Sequence, residues 1–138
     1  MTQDLYNNVK ASRALSPVSG AADNTAQVSQ IIDTAGFDSL AFLLALGSLA
    51  DADATFAVTM DHGDAANLSD AAAVASTDLV GTLAGASFIF SDDDVVKKVG
   101  YIGAKRYVRL TITPANNTGA WLIAVIALQG GASKSPVS

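Results

Sequence analysis

The 138-residue sequence predicts an all-β domain: an antiparallel β-sandwich or jelly-roll-like barrel of about seven or eight strands, with an extended N-terminal arm. Three observations predict it. ATFAVTMD and RYVRLTIT alternate apolar and polar residues with the period of two that belongs to strands. The connectors SDDDVV, GAK and PANNTG are short and rich in turn-forming residues. No stretch sustains a long helical period.

Residues 1–24 are polar, with Leu5, Tyr6, Val9, Leu15 and Val18 scattered through them, and read as an arm with one short strand near 13–15. Holding such a segment still costs more backbone entropy than those side chains return on burial. Contact with a neighbouring subunit is therefore expected to order it. SGAADN marks the turn into a sandwich domain spanning 25–130.

TAQVSQIID opens that domain, with Ala26, Val28 and Ile32 opposed to Gln27, Ser29 and Ile31. The nearly continuous apolar run 38–46 fits a strand buried on both faces or a short helix, and the flanking turns AGFD and GSLADAD favour the strand. Phe56, Val58 and Met60 share one face of the next strand. The alanine-rich stretch 62–78 reads as a loop with one helical turn across DAAAVAS.

Four strands follow, at 86–91, 97–102, 106–113 and 120–128. In the third, Val108, Leu110 and Ile112 point inward. The fourth is apolar on both faces and belongs at a sheet centre or against another subunit. Residues 131–138 form a flexible tail by composition.

Half of the residues are apolar, yet only 15% are charged, against about 25% in ordinary soluble domains. Charge normally keeps a small domain's large surface soluble, so the deficit predicts that other subunits cover part of it. Abundant half-exposed alanine would raise the apolar share as well. A net charge of −5 argues against a nucleic-acid partner, which calls for a basic face. The absence of cysteine removes disulfides, thiol nucleophiles and thiolate zinc sites. MTQDLYNNVKASR lacks the pattern of a signal peptide, and the longest apolar runs fall short of the about 20 residues a membrane helix needs. No membrane partner is expected, and the chain is expected in the cytoplasm where it is made.

DHGD, 61–64, holds the only histidine between two aspartates. A metal site needs several ligands converging from separate positions, and no second histidine exists to help. DADATF lacks the glycine and terminal glutamate of a calcium loop, and the chain has no glutamate at all. The end of a strand followed by a turn, with Gly63 supplying the bend, accounts for DHGD. No serine sits in a nucleophile elbow. The paired carboxylates lie in alanine-rich turns where nothing raises a pKa. No enzyme activity, catalytic residue, metal or cofactor is expected.

GYIGAKR lacks the spacing of a phosphate-binding loop and reads as a hairpin turn with Gly103 at positive φ. Lys97, Lys98, Lys105, Arg106 and Arg109 gather most of the basic residues there. They form either a solvated face or a patch that docks an acidic neighbour. Trp121 reads as core or interface rim rather than as a sugar platform, since stacking sites usually show several aromatics.

Four stretches carry a likeness: DLYNNVKASRALSPV, ADNTAQVSQIIDTAGFDSLAF, LADADATFAVTMDHGDAANLSDAAAV and VGYIGAKRYVRLTITPANNTG. Through them most of the chain resembles a group of small proteins encoded among the virion structural genes of tailed bacteriophages. The likeness implies a setting, the virion, with assembly in the host cytoplasm. Within that setting an acidic, low-charge β domain with an N-terminal arm suits a capsid decoration (cement) protein on the outer shell. Such a protein would be a homo-oligomer whose partner is the major capsid protein. A head–tail connector or tail protein is the nearest alternative, and a carbohydrate-binding sandwich module is one from another class. The contact residues implied are Leu5, Tyr6, Val9, Arg13, Leu15, Val18, Lys105, Arg106, Arg109 and Trp121.

Overall fold

The computed structural model describes residues 6–20 and 23–131, and of 17–20 the backbone only. In chain order the strands begin with β1 (Lys10–Gly20), β2 (Gln27–Val28), β3 (Ile32–Asp33), β4 (Ser39–Leu49) and β5 (Thr55–Gly63). After β6 (Ala72–Ala73), a 3₁₀ turn at Ser76–Asp78 and β7 (Leu79–Val80) comes the short α-helical turn α1 (Leu83–Ala86). The chain ends on β8 (Phe88–Ile89), β9 (Val96–Tyr101), β10 (Tyr107–Ala115) and β11 (Trp121–Gly130).

These strands form two antiparallel sheets packed as a sandwich and not closed into a barrel. Sheet A has the order β1-β11-β4-β9-β7; sheet B has β2-β10-β5-β6, with β3 also on β10 and β8 also on β5. From β4 onward the long strands alternate between the sheets along the chain. The connections β4 to β5, β9 to β10 and β10 to β11 each cross the sandwich.

Alternation explains the core. On β5 the inward residues Phe56, Val58 and Met60 are buried, and on β10 Val108, Leu110 and Ile112 face them from the same sheet. β4 contributes Leu40, Phe42, Leu44 and Leu46, and β11 contributes Trp121, Ile123, Val125 and Ala127. Interleaving two such inner faces makes a single core layer about 10 Å thick. At one end Phe56 stacks on Phe88 at 4.8 Å between centroids, and Trp121 lies against both, 4.8 Å from Phe56 and 6.3 Å from Phe88.

Several local expectations are corrected by the fold. Residues 10–20 do not stand apart from the domain. They pair along β11 from Lys10↔Gln129 to Gly20↔Trp121, and Ala14 is buried in the common core. Pairing satisfies the backbone groups whose ordering looked costly. The expected strand at 86–91 shrinks to Phe88–Ile89, because side chains compete for its backbone. The Ser87 hydroxyl accepts from the Val58 amide at 3.0 Å, and the Asp92 carboxylate accepts from the Ile89 amide at 2.9 Å.

DAAAVAS holds no α-helical turn; Ala72 and Ala73 pair with His62 and Asp61 at the edge of β5, and its last residue opens the 3₁₀ turn Ser76–Asp78. DHGD is consequently strand through Gly63 rather than a turn. Gly63 is required because a Cβ there would collide with the Asp70 carboxylate, which accepts from the Asp64 and Ala65 amides. GYIGAKR is not a hairpin either: it carries the chain from sheet A to sheet B, and Gly103 makes room for the Tyr101 ring.

Candidate functional site

The two sheets turn very different outer faces to solvent. On sheet B, Thr111 pairs with Thr59, Thr113 with Ala57 and Arg109 with Asp61, so the centre of the outer face is hydroxyl-bearing and charged, with exposed Val28 and Ile89 on the short flanking strands β2 and β8. This is the pattern expected of a solvated sheet face.

Sheet A breaks the pattern. Its central row runs Arg13, Ile126, Leu43, Lys98 across four strands. The row to one side runs Ala11, Leu128, Ala41, Gly100, Val80. On the other side come Ala124, Ala45 and Val96, and beyond them Leu122 lies over Gly47. Ile126 is 42% exposed, Leu122 44%, Val80 57% and Val96 64%. Scattered exposed apolar residues are ordinary, but a contiguous face of them marks a contact surface. At the β7 and β9 border the face deepens into a groove of about 470 Å³, lined by Val9, Leu40, Val80, Ile102 and Leu128 with Lys98 at its wall.

The residues expected to make contacts scatter across this architecture. Leu5 lies outside the described residues, as do the tail 132–138 and the side chain of Val18, whose backbone pairs with Ile123. Tyr6 is 87% exposed, Val9 borders the groove, and Arg13 stands on the apolar face. Leu15 packs against the core. Trp121, expected at a contact, is instead wholly buried, because its strand turns that side chain into the aromatic stack.

The anticipated basic patch is largely neutralised within the chain. Arg106 grips Asp33 with two hydrogen bonds, Nε to Oδ1 at 2.8 Å and Nη2 to Oδ2 at 2.9 Å. That bidentate bond raises the Arg106 pKa and holds the Asp33 carboxyl below its ordinary value. Lys105 Nζ lies 3.0 Å from Asp64 Oδ2, and this hydrogen bond raises the lysine's pKa. Arg109 lies 3.7 Å from Asp61, and Lys97 3.5 Å from Asp92. Lys105, Arg106 and Arg109 therefore serve sheet B and its connecting loop rather than the apolar face.

His62 Nδ1 lies 2.8 Å from Tyr101 Oη, which also accepts from the Lys105 amide at 3.0 Å. Burial is the main reason the Tyr101 pKa is raised. Among the described residues no group of three or more histidines and carboxylates is placed to hold a metal ion, and no helix is long and apolar enough to cross a membrane.

The face residues of β4, β9 and β7 were missed by sequence reasoning. A signal for them was present. The unbroken apolar runs of β4 and β11 supply side chains to both faces of sheet A, and the outer set, with Leu43 and Ile126 at its centre, is this surface.

No protein-family model matches the chain, and no curated protein matches it significantly. Solved structures resemble it in fold. The SPBc2 prophage-derived protein YomS aligns over 88% of this chain and 92% of its own, with a TM-score of 0.51 and 11% identity. A structure of infectious bursal disease virus, Gx strain, aligns over 93% of this chain with a TM-score of 0.49 and 11% identity; the match spans 33% of that protein. The CBM22-1–GH10 modules of a Clostridium thermocellum xylanase in complex with xylohexaose align over 96% of this chain and 28% of their own, with a TM-score of 0.48 and 9% identity.

Proposed function

We propose that this chain is a non-enzymatic structural protein of a tailed-bacteriophage virion, a decoration protein that lies on the outer capsid surface and bridges and stabilises capsomers. The difference between the two outer faces carries the reading. A sheet that exposes Ile126, Leu122, Val80 and Val96 around a half-buried Leu43 on one side of a well-formed core is built to be covered. Sheet B, whose central strands carry threonine and paired charges and whose exposed Val28 and Ile89 stand singly on opposite flanks, is the side left to water. In this reading the apolar face meets the major capsid protein, and the homo-oligomer forms through other surfaces. The likeness of the four quoted stretches to virion structural proteins, and the sandwich shared with a prophage-derived protein, agree with it. Against a sugar-binding role stands the burial of Trp121, which removes it as a stacking platform.

The test is a reconstruction of particles assembled with and without the protein. Density of its size on the outside of the shell, lost in the deletion particle, is the expected result. Density confined to the neck or tail would replace the decoration role with that of a connector or tail protein. A deletion particle identical to the intact one would refute a virion role.

A further inference from the structure

The described basic residues divide into two groups. Lys97, Lys105, Arg106 and Arg109 each face a carboxylate of the chain, and Lys10 lies 6.0 Å above the Phe37 ring. Among the described residues, Arg13 and Lys98 have no such partner, and they terminate the same row of the apolar face, Arg13–Ile126–Leu43–Lys98. Three interstrand steps of about 4.8 Å separate them, so about 14 Å of apolar surface lies between two cations. Neither that row nor the rows beside it hold a carboxylate.

This arrangement constrains what can cover the face. Burying an apolar strip brings its bordering charges under the partner, and an unpaired cation there is costly. A second copy of the same face offers only apolar groups and cations. Two-fold packing would set Arg13 against Lys98, or each against itself, and repel in either case. We propose that the face is covered by a different protein, whose apolar contact surface carries carboxylates at its borders on the order of 14 Å apart. The proposal rests on reading this face as the docking side, and it names the chemistry of the partner.

The closing experiment uses the full chain on two chromatographic matrices, one bearing phenyl and carboxylate groups, the other phenyl and quaternary ammonium groups. By its net charge of −5 the chain should prefer the ammonium matrix. The proposal expects retention on the phenyl-carboxylate matrix. Retention there should fall on the order of tenfold in Arg13→Glu/Lys98→Glu and in Leu43→Asp, and hold in the sheet B control Thr59→Asp. Circular dichroism confirms that the variants are folded. Equal retention of all four proteins overturns the proposal. So does a wild-type dimer in sedimentation velocity that Leu43→Asp abolishes, because the occupant is then a second copy. Particles lacking the protein form a separate arm. If the wild-type chain ignores them, the decoration reading falls while the matrices still decide the chemistry of the face.

Discussion

His62 on β5 and Tyr101 on β9 share a hydrogen bond of 2.8 Å that ties sheet B to sheet A at the end of β5 opposite the aromatic stack. The Lys105 amide donates to the same phenol oxygen at 3.0 Å. The phenol hydroxyl also lies 3.5 Å from the Lys105 carbonyl, so whether it donates to His62 Nδ1 or accepts from it depends on the histidine tautomer. At the other end of β5, Phe56 packs against Trp121 of sheet A. One strand is thus fastened across the sandwich twice, once by polar and once by apolar contact.

From sequence alone His62 reads as a surface residue whose loss is nearly neutral. The bond changes that expectation. In His62→Ala a buried phenol loses its 2.8 Å hydrogen-bond partner, which should cost about 1–2 kcal/mol in urea denaturation at an unchanged m-value. Tyr101→Phe should cost a comparable amount, since it strands His62 Nδ1 and the Lys105 amide. The double variant should lose less than the sum, because both changes remove one bond. Strict additivity would show that the two groups are not coupled.

The strands were legible where each had one wet face. β5 and β10 alternate because sheet B is solvated outside, and their inward sets Phe56, Val58, Met60 and Val108, Leu110, Ile112 lie buried where alternation put them. β4 and β11 are apolar on both faces, so their pattern did not show which side the core would take. Ion pairing was not legible, since it depends on approaches the chain order hides. Arg106 meets Asp33 from 73 positions away and Lys105 meets Asp64 from 41, so a basic cluster along the chain is, Lys98 apart, a set of neutral pairs in space. Trp121 was ambiguous for the same reason; Phe56 and Phe88, which bury it, come from distant segments.

Gly103→Ala should be destabilising although Gly103 is not among the glycines with positive φ. An added Cβ would lie 2.5 Å from Tyr101 Oη and 2.6 Å from Cζ. The ring is buried and cannot yield, so about 1–3 kcal/mol of overpacking is expected. In a Tyr101→Phe background the same change should cost less, because the nearest contact is gone. A Gly103→Ala protein as stable as the wild type would mean that the loop moves freely around the ring.

Acid should weaken the fold in a defined direction. Asp33 is held below the ordinary 3.8 by its hydrogen bond to Arg106, Asp51 by the Thr118 amide, and Asp70 by the Asp64 amide. A carboxyl whose folded pKa is depressed stabilises the fold fully above its unfolded pKa, and that stabilisation is lost as pH falls through the folded value. Thermal midpoints should therefore hold down to about pH 4 and decline below it. Asp51→Asn should flatten the decline. A midpoint independent of pH between 5 and 2 would contradict the assignment.

Trp121 is the only tryptophan and is fully buried, so its fluorescence reports the core alone. Its emission should be that of an indole in apolar surroundings, resist quenching by acrylamide, and shift only on global unfolding. Trp121→Ala should cost about 3–5 kcal/mol, the range for emptying a large aromatic site. Because its side chain points inward while Ile126 and Leu122 of the same strand point outward, docking on the outer face of sheet A should leave the emission maximum and the quenching unchanged. Leu43→Asp should likewise leave them as in the wild type while abolishing the particle binding proposed for this face. A change in tryptophan emission on the proposed binding to particles would show that docking repacks the core, and the apolar face would then not be a preformed contact surface.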